Sequence, residues 1–433
     1  MAQAEGVLTR LGRPDALFAF ALAVRLAYLA WQGTGPADAF HPDTPMFLAI
    51  AASPDWWTGT AERLPGYPIF LALHFFAFGP EALWAPLVTQ AAIDAAACVA
   101  IARTAEAVCP GAGRWAGPLA ALNPTQIAMA SVLLGDSIFV ACLAFGFLAL
   151  ARWRYGQGGA TPVGIWFGLA LFNRAVLWPF VPVLALAMLA AAWRRGARSA
   201  PIAVLAIVAL FAAPIIARNW SEHGHAALSS QGPMHVALWW YPLVREAHDG
   251  TPYARSAETV ATAFREAGGG QGGFADAETY RAVAWPRLAE LPPLAYAKAW
   301  TMGAAINLAS PATLMIPRVM ALPRTGFYAT AGETPLDKAR TFLARSSSGP
   351  YLAWLAGGAA VEWPVRALTA LGLLALWRAR RTRGAALFAL AWIGFVLAVQ
   401  GPVASAKYRL PIEPIAMALA GVALARTREG ARG

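Results

Sequence analysis

The sequence predicts an all-α polytopic membrane protein, and two observations support this class. Of its 433 residues, 58% are hydrophobic and 13% are charged, whereas about a quarter of the residues in a soluble globular chain are charged. The apolar residues form repeated runs of helical length rather than short alternating segments, which favours membrane helices over barrel strands. The formal net charge of +11 lies largely in short basic runs at segment ends. Such runs set topology, so we predict no nucleic-acid partner.

The first apolar segment, residues 15–31, is predicted to be an uncleaved membrane helix. Arg10 and Arg13 precede it, and the positive-inside tendency places these charges in the cytoplasm. The segment lacks a small-residue cleavage site, which argues against a removed signal peptide. Residues 33–80 are then an external loop. Its apolar stretch 68–78 is too short to span and is predicted to be an interfacial or re-entrant helix.

Later apolar runs are predicted to alternate across the bilayer, giving about ten transmembrane helices with both termini in the cytoplasm. Short arginine runs mark the inner ends of several of them, as the positive-inside tendency requires. The remaining predicted spans are 83–102, 115–128, 138–150, 161–172, 176–192, 201–217, 364–377, 385–399 and 411–425.

Residues 221–350 differ in composition from the rest of the chain, because acidic and basic residues alternate there. We predict an external region of short helices and loops between a module at 1–220 and the C-terminal helices at 351–433. Its apolar stretch 296–316 could span by length alone. A single crossing there would put the basic run 378–383 outside, so an interfacial or re-entrant helix is predicted. Residues 351–361 are expected to approach the next span along the surface.

The cysteines give no sign of a disulfide framework or a metal site. Cys98, Cys109 and Cys142 lie in or beside apolar segments, without metal-ligand spacing. We therefore expect all three to be structural thiols.

Ionisable residues collect at the predicted external ends of the helices, which is the main functional signal in the sequence. Charged side chains beside a bilayer need a pairing or functional reason to persist. No GxGxxG, P-loop, HExxH or paired CxxC motif of a soluble enzyme is present. The converging residues are Asp43, Arg63, Asp136, Arg174, Arg218, Lys407 and Arg409.

Several short motifs, in order along the chain, resemble those of the GT-C membrane glycosyltransferases, especially the bacterial branch related to protein mannosyltransferases and the lipid A aminoarabinose transferase. The resemblance covers most of the chain apart from residues 221–350. The matching pieces are His-Pro-Asp-Thr at 41–44, Glu-Arg-Leu-Pro-Gly-Tyr-Pro at 62–68, Leu-Asn-Pro at 122–124, Asp136, Asn-Arg at 173–174, Arg-Asn-Trp at 218–220 and Lys-Tyr-Arg-Leu-Pro-Ile-Glu-Pro at 407–414.

The resemblance implies a multi-pass protein of the bacterial inner membrane that transfers a sugar from a polyprenyl-phosphate donor at the periplasmic face. It also implies that a first-loop aspartate, here Asp43, is the general base. The chemistry asks for such groups independently, since an attacking hydroxyl must lose a proton and a departing phosphate needs cations. Two departures from the family pattern, Thr44 and Asp136, leave the acceptor and any divalent cation (Mg²⁺ or Mn²⁺) open.

Each candidate has a structural alternative. Asp43 could cap the helix that begins before Pro45, and Asp136 could cap the helix that follows it. Lys407 and Arg409 could be snorkelling cations rather than phosphate ligands. The predicted site comprises Asp43 and Asp136 as catalytic residues; Arg63, Lys407, Arg409, Arg218 and Arg174 as donor-phosphate ligands; and His41, Glu62, Tyr67 and Tyr408 as substrate-binding residues.

Two other functions stay open from the sequence. A polysaccharide polymerase or ligase would also use external arginines, with a lipid-pyrophosphate glycan as donor. A lipid or sugar transporter is less favoured, because transporters place polar groups near mid-membrane in internally repeated helices, and no clear repeat is present. The sugar, the acceptor (lipid, glycan or protein) and the oligomeric state are not specified by the sequence.

Overall fold

The computed structural model describes residues 11–54, 61–193, 198–323, 330, 332, 334–345 and 348–430. These residues form helices joined by turns, without a β-strand among them. Arg10, which is predicted to lie on the cytoplasmic side, is outside the described ranges. The α-helices are α1 (Pro14–Gln32), α2 (Pro36–Ala39), α3 (Thr44–Ala52), α4 (Gly66–Phe78), α5 (Trp84–Val108), α6 (Gly113–Ala121), α7 (Pro124–Ala130), α8 (Asp136–Arg154), α9 (Thr161–Asn173), α10 (Val181–Trp193), α11 (Ser199–His223), α12 (Gln231–His235), α13 (Tyr241–Asp249), α14 (Tyr253–Glu266), α15 (Gly273–Ala289), α16 (Pro293–Ala309), α17 (Pro317–Met320), α18 (Pro335–Arg345), α19 (Gly349–Arg378), α20 (Arg383–Gln400) and α21 (Glu413–Gly430).

Eight helices in the described part of the chain are long and apolar enough to cross a membrane. Two further apolar helices, α4 and α9, are shorter, with 13 residues each. The prediction of an all-α polytopic membrane protein is confirmed. The eight are Pro14–Gln32, Trp84–Val108, Asp136–Arg154, Ala175–Trp193, Ser199–His223, Gly349–Arg378, Arg383–Gln400 and Ala406–Thr427, where 3₁₀ turns at Ala175–Phe180 and Ala406–Ile412 lead into α10 and α21.

The predicted span at 115–128 is wrong as a single helix. The chain breaks at Asn123, whose side-chain oxygen accepts hydrogen bonds from the backbone N–H groups of Thr125 and Gln126 at 2.9 and 3.1 Å. Pro124 follows as the first residue of α7, where its missing N–H costs nothing. The Leu-Asn-Pro motif is therefore a helix break with its own N-cap.

The predicted surface approach at 351–361 is also wrong. Residues 349–378 form one continuous helix of 30 residues that contains Pro364. This helix packs closely against α21, because a Cβ on Gly372 would lie only 1.9 Å from the carbonyl oxygen of Leu419. The absence of a side chain at Gly372 lets the two backbones approach, as small residues do in membrane bundles.

The region 221–323 forms short helices that pack on one another around a small apolar core. The apolar stretch 296–316 is divided between α16 and a 3₁₀ turn at Ala312–Met315, and α16 has 17 residues. Hydrogen bonds join this region to the first loop: the N–H of Ser230 donates to the carbonyl of Ala61 at 2.9 Å, and the hydroxyl of Ser229 donates to that of Glu62 at 2.7 Å. The region therefore covers the loop that contains Asp43.

The interior of the bundle contains ion pairs that hold helices together. Arg25 on α1 donates to Asp94 on α5 at 2.5 Å, and both side chains are almost fully buried. Cys98, Cys109 and Cys142 are buried, and none of them forms a disulfide.

Candidate active site

A large cavity of about 2330 Å³ lies where the first loop, the start of α8, the end of α9 and the turn before α21 meet the 221–350 region. Eight of the eleven residues predicted for the site line this cavity. Most of the candidates predicted from the sequence therefore share a cavity, although they come from five separate stretches of chain. The eight are His41, Asp43, Glu62, Arg63, Asp136, Arg174, Lys407 and Tyr408.

Asp43 lies at the centre of a charged cluster on the cavity wall. Its carboxylate accepts a hydrogen bond from Arg63 Nη2 at 2.9 Å, and Oδ2 lies 3.4 Å from His41 Nδ1 and 3.9 Å from Lys407 Nζ. The hydrogen bond from His41, together with the charges of Arg63 and Lys407, holds the pKa of Asp43 well below its usual range, although partial burial opposes this. Asp43 is therefore ionised at physiological pH.

Asp43 occupies the N-cap position of α3 but does not cap the helix. Its side chain makes no hydrogen bond to the backbone of the first turn. The carboxylate instead faces Arg63 and Lys407, which lie 20 and 364 residues further along the chain. The capping alternative for Asp43 is thus not what the structure shows.

His41 connects the anion and the amine of this cluster. Its Nε2 lies 3.4 Å from Lys407 Nζ, and its Nδ1 faces Asp43. The backbone N–H of Asp43 donates to the same Nδ1 at 3.2 Å. His41 therefore links the Asp43 turn to Lys407 and fixes their relative positions.

Thr44, which departs from the family pattern, holds the loop in place. Its hydroxyl donates to the carbonyl of Leu133 at 2.8 Å and accepts from the N–H of His41 at 2.9 Å. The side chain is fully buried. Thr44 therefore joins the His41–Asp43 turn to the segment that leads into Asp136.

Asp136 and Arg174 form a second ion pair on the same cavity. Asp136 is the first residue of α8, yet Gly135 occupies the N-cap position and no side-chain cap forms. The carboxylate accepts a hydrogen bond from Arg174 Nη1 instead. The charges of both residues act on Lys407, so the two ion pairs belong to one cluster.

Comparison with known proteins supports the fold. No family model matches the sequence, and no curated protein gives a significant sequence match. Among solved structures, the oligosaccharyltransferase of Archaeoglobus fulgidus aligns over 96% of this chain, with a TM-score of 0.53 and 13% identity. The chain has the GT-C fold. It spans 50% of the length of that oligosaccharyltransferase.

Two structures of ArnT from Cupriavidus metallidurans also align with this chain. The apo structure covers all of this chain and 80% of its own, with a TM-score of 0.38 and 16% identity. The structure bound to undecaprenyl phosphate covers 98% of this chain and 79% of its own, with a TM-score of 0.36 and 16% identity. These TM-scores do not by themselves establish a common fold.

Three of the predicted site residues do not line the cavity. The hydroxyl of Tyr67 donates to Gln90 Oε1 at 2.6 Å beneath the cavity wall, and its ring is buried. Arg218 is buried and donates to Asn219 Oδ1 at 2.8 and 3.1 Å. Arg409 is fully buried inside the bundle. Their positions assign these three residues structural roles rather than the substrate or phosphate contacts predicted for them.

Arg409 belongs to an ion network that joins α7, α16, α19 and α21. Its Nε donates to Glu413 Oε1 at 2.9 Å, and its Nη2 forms an ion pair with Glu362. Arg366 bridges the same two carboxylates, and Asn123 donates to Glu413 at 2.8 Å. Lys407 and Arg409 lie two residues apart in a 3₁₀ turn, which directs Lys407 to the cavity and Arg409 into the bundle. Spacing alone does not reveal this division.

The carboxylates of the cavity do not fit a divalent cation. Asp43 and Asp136 each accept a hydrogen bond from an arginine, and Lys407 lies close to both of them. The described ranges contain no group of three or more His, Cys, Asp or Glu side chains that could hold a metal ion. Arg63, Arg174 and Lys407 thus occupy the positions beside these carboxylates that a metal ion would need.

Sequence reasoning missed one part of the cavity wall. His235, which is not among the predicted site residues, is half-buried and lines the cavity. Burial and the charge of Arg174 lower the pKa of His235 to about 4, so the ring is neutral at physiological pH. Trp239, Tyr253 and Trp285 line the cavity beside it. These residues carry no motif, and only the packing of α12, α14 and α15 brings them together.

Proposed function

We propose that the protein is an integral-membrane GT-C glycosyltransferase that moves a sugar from a polyprenyl-phosphate donor to an acceptor at the periplasmic face, with inversion. One observation carries the proposal: an ionised aspartate and several cations share a cavity that also has a long apolar wall. Each of the two substrates needs a different part of this cavity.

The cations of the cavity suit the phosphate of the donor. Four cationic side chains and three carboxylates line it, which leaves a net positive charge when the histidines are neutral. Arg63 and Lys407 both face Asp43 and are the nearest groups to receive a phosphate beside it. Charge-assisted contacts of this kind are strong, particularly in a site of restricted water access.

The apolar wall suits the polyprenyl chain. It is built by the C-terminal half of α16 and the N-terminal half of α19, whose cavity-facing residues are apolar apart from Tyr351. A donor that stays in lipid must place its phosphate at the membrane surface while its tail remains in an apolar environment. The lining residues of these helices are Met302, Ala305, Ile306, Ala309, Tyr351, Leu352, Leu355, Ala356, Ala359 and Trp363.

The proposed reaction is a single displacement at the anomeric carbon. Asp43 takes the proton of the acceptor hydroxyl as its oxygen forms the new C–O bond, and the bond between the anomeric carbon and the phosphate oxygen breaks. Arg63 and Lys407 hold the charge that develops on the leaving phosphate. Asp43 is a weak base while Arg63 and Lys407 both interact with its carboxylate. An incoming phosphate competes for the same cations, which raises the basicity of Asp43 when the donor is present.

Residues on the other side of the cluster position this machinery. Arg174 is held by Asp136 and faces the same cavity, where it adds to the positive field around the phosphate. His41 fixes Asp43 against Lys407. Glu62 and Tyr408 line the cavity and are available to the sugar or the acceptor. No step of the proposed reaction passes through a metal ion.

The test is transfer by the purified protein in nanodiscs with a panel of radiolabelled polyprenyl-phosphate sugars and a membrane extract. We expect a labelled product with wild-type protein and a folded but inactive Arg63→Gln variant. Arg287→Gln is the matched control, because Arg287 lies on α15 and does not line the cavity. Transfer from a nucleotide sugar alone, or from lipid-pyrophosphate glycans alone, would refute the donor assignment. Substrate translocation without a covalent product would indicate a transporter.

A further inference from the structure

The cavity has an aromatic wall that the proposed donor does not use. It consists of His235, Trp239, Tyr253 and Trp285, which come from α12, the π-helix Val236–Trp240, α14 and α15. We call these four residues the aromatic wall. The wall adjoins the charged cluster, because Arg174 acts electrostatically on His235 and Tyr408 acts on Tyr253.

The tryptophans of the aromatic wall keep open faces. Trp239 is 37% exposed and Trp285 is 44% exposed, although both line a cavity. The ring centroids of Trp239 and Tyr253 lie 5.6 Å apart and the ring planes are tilted by 33°, so the two rings are neighbours on the cavity wall. The hydroxyl of Tyr253 donates to the carbonyl of Leu238 at 3.0 Å, which fixes the second ring. A sugar ring has apolar C–H faces and hydroxyl groups around its edge. An aromatic surface with polar groups beside it can contact both.

The local backbone is arranged to present this wall. Residues 236–240 form a π-helix, a wide turn that is uncommon and frequent at functional sites. Trp240, the last residue of this turn, also lines the cavity, and its ring packs against that of Trp300 at 4.9 Å. The wide turn therefore brings two tryptophans to the cavity, with Trp240 held by packing and Trp239 partly exposed.

We propose that the aromatic wall is the acceptor subsite and that the acceptor is a saccharide, which stacks on Trp239 and Tyr253 while His235 positions its attacking hydroxyl. This inference rests on the proposed function for the direction of transfer. A neutral imidazole both donates and accepts a hydrogen bond. His235 orients the hydroxyl, and Asp43 across the cluster takes the proton.

The experiment measures binding of two probes to the full-length protein in nanodiscs. The first probe is a panel of fluorescently labelled gluco-, galacto- and manno-disaccharides, and the second is polyprenyl phosphate without a sugar. We expect one disaccharide class to bind, and Trp239→Leu to weaken that binding about three- to tenfold. His235→Gln should weaken it less. Trp178→Leu is the control, because Trp178 is similarly exposed and lines the same cavity outside this wall.

The two probes separate failure of this inference from failure of the proposed function. Trp239→Leu should bind polyprenyl phosphate as the wild type does, and its unfolding temperature should match that of Trp178→Leu. Disaccharide binding without polyprenyl-phosphate binding would overturn the donor assignment and leave the saccharide subsite standing. Absence of disaccharide binding, equal loss in both tryptophan variants, or Trp239-dependent binding of a peptide instead would overturn the saccharide subsite.

Discussion

Two neighbouring cations should behave in opposite ways when each is replaced by methionine. Lys407 faces Asp43 and the cavity, whereas Arg409, in the same 3₁₀ turn, is buried in the ion network. Methionine keeps much of the length of either side chain and removes its charge. We therefore predict that Lys407→Met mainly weakens donor binding and that Arg409→Met mainly destabilises the fold.

The distances set the size of each effect. Lys407 Nζ lies 3.9 Å from Asp43 Oδ2, and unit charges at this separation attract by about 4 kcal/mol at an effective dielectric constant near 20. Desolvation offsets part of such an attraction, so loss of one charge-assisted contact to phosphate should cost about 1.5–3 kcal/mol. Binding of polyprenyl phosphate to Lys407→Met should then weaken roughly 10- to 150-fold. Lys407 is buried between two carboxylates, Asp43 and Asp136, and two cations, Arg63 and Arg174, whose effects on its charge oppose each other. Its loss should therefore change the free energy of unfolding by less than about 1 kcal/mol.

Arg409 presents the reverse case. Its removal leaves the buried carboxylates of Glu362 and Glu413 with Arg366 as their remaining cation. Breaking a buried ion pair from one side costs about 3–5 kcal/mol of folding free energy. Donor binding by the molecules that remain folded should change little, since Arg409 does not line the cavity.

The assays are thermal unfolding and polyprenyl-phosphate binding, both on protein in the same nanodiscs. The reasoning is refuted if Arg409→Met is as stable as wild type and loses donor binding while Lys407→Met retains it. That outcome would return the phosphate site to Arg409 and remove Lys407 from it.

Three further predictions follow from the geometry. Gly372→Ala should lower the unfolding temperature, because the new Cβ would overlap the backbone of Leu419. Gly357→Ala is the control and should leave the unfolding temperature unchanged or raise it, because a Cβ there has no neighbouring atom within 4 Å. Equal unfolding temperatures for the two variants would contradict the close packing of α19 on α21. The pKa of Asp43 is lower folded than unfolded, so ionised Asp43 stabilises the fold fully above about pH 4 and this contribution disappears as pH falls through the lowered pKa. The pH profile of kcat/KM, which reports the ligand-free protein, should accordingly show no acid limb from Asp43 between pH 7 and 5. An acid limb that moves upward in Lys407→Met would identify Asp43 as its source, and a wild-type acid limb in that range that Asp43→Asn removes would contradict the assignment. Removal of divalent cations with a chelator should leave the rate of sugar transfer within about twofold of the untreated rate. A large loss of this rate that added Mg²⁺ or Mn²⁺ restores would show that a metal ion takes part.

The sequence was sufficient for the class of fold and for much of the charged cluster. Apolar runs of helical length predict membrane helices because lipid leaves few backbone alternatives. Asp43 and Arg63 share the loop that follows the first membrane helix, and the turn before α21 brings Lys407 to the same place. Residues at loop ends are predictable in this way because topology alone gathers them.

Helix continuity and side-chain direction were less predictable. Pro364 suggested a boundary, yet the helix continues through it from 349 to 378. Asn123 lies in an apolar run that suggested a span, and its side chain instead caps a new helix. The opposite directions of Lys407 and Arg409 depend on the partners of each residue, Asp43 in the first case and Glu413 in the second. These partners lie far away in sequence or depend on the exact turn geometry.

The aromatic wall could not be inferred from its residues in isolation. His235, Trp239, Tyr253 and Trp285 are separated by loops and helices of mixed polarity, where solvated or interfacial side chains are the ordinary expectation. The hydrogen bonds from Ser229 and Ser230 to the first loop draw this region over Asp43. Without those tertiary contacts, the four residues have no common position.

The most direct test of the account is sugar transfer from a radiolabelled polyprenyl-phosphate donor by wild-type protein and by Asp43→Asn, reconstituted side by side in nanodiscs. The account predicts that Asp43→Asn binds polyprenyl phosphate and remains folded, with a lower unfolding temperature because the stabilising charge of Asp43 is lost. Its transfer rate should be about 10²- to 10⁴-fold lower, as loss of a general base requires. A folded Asp43→Asn protein that transfers sugar at close to the wild-type rate would contradict the central claim that this carboxylate is the base.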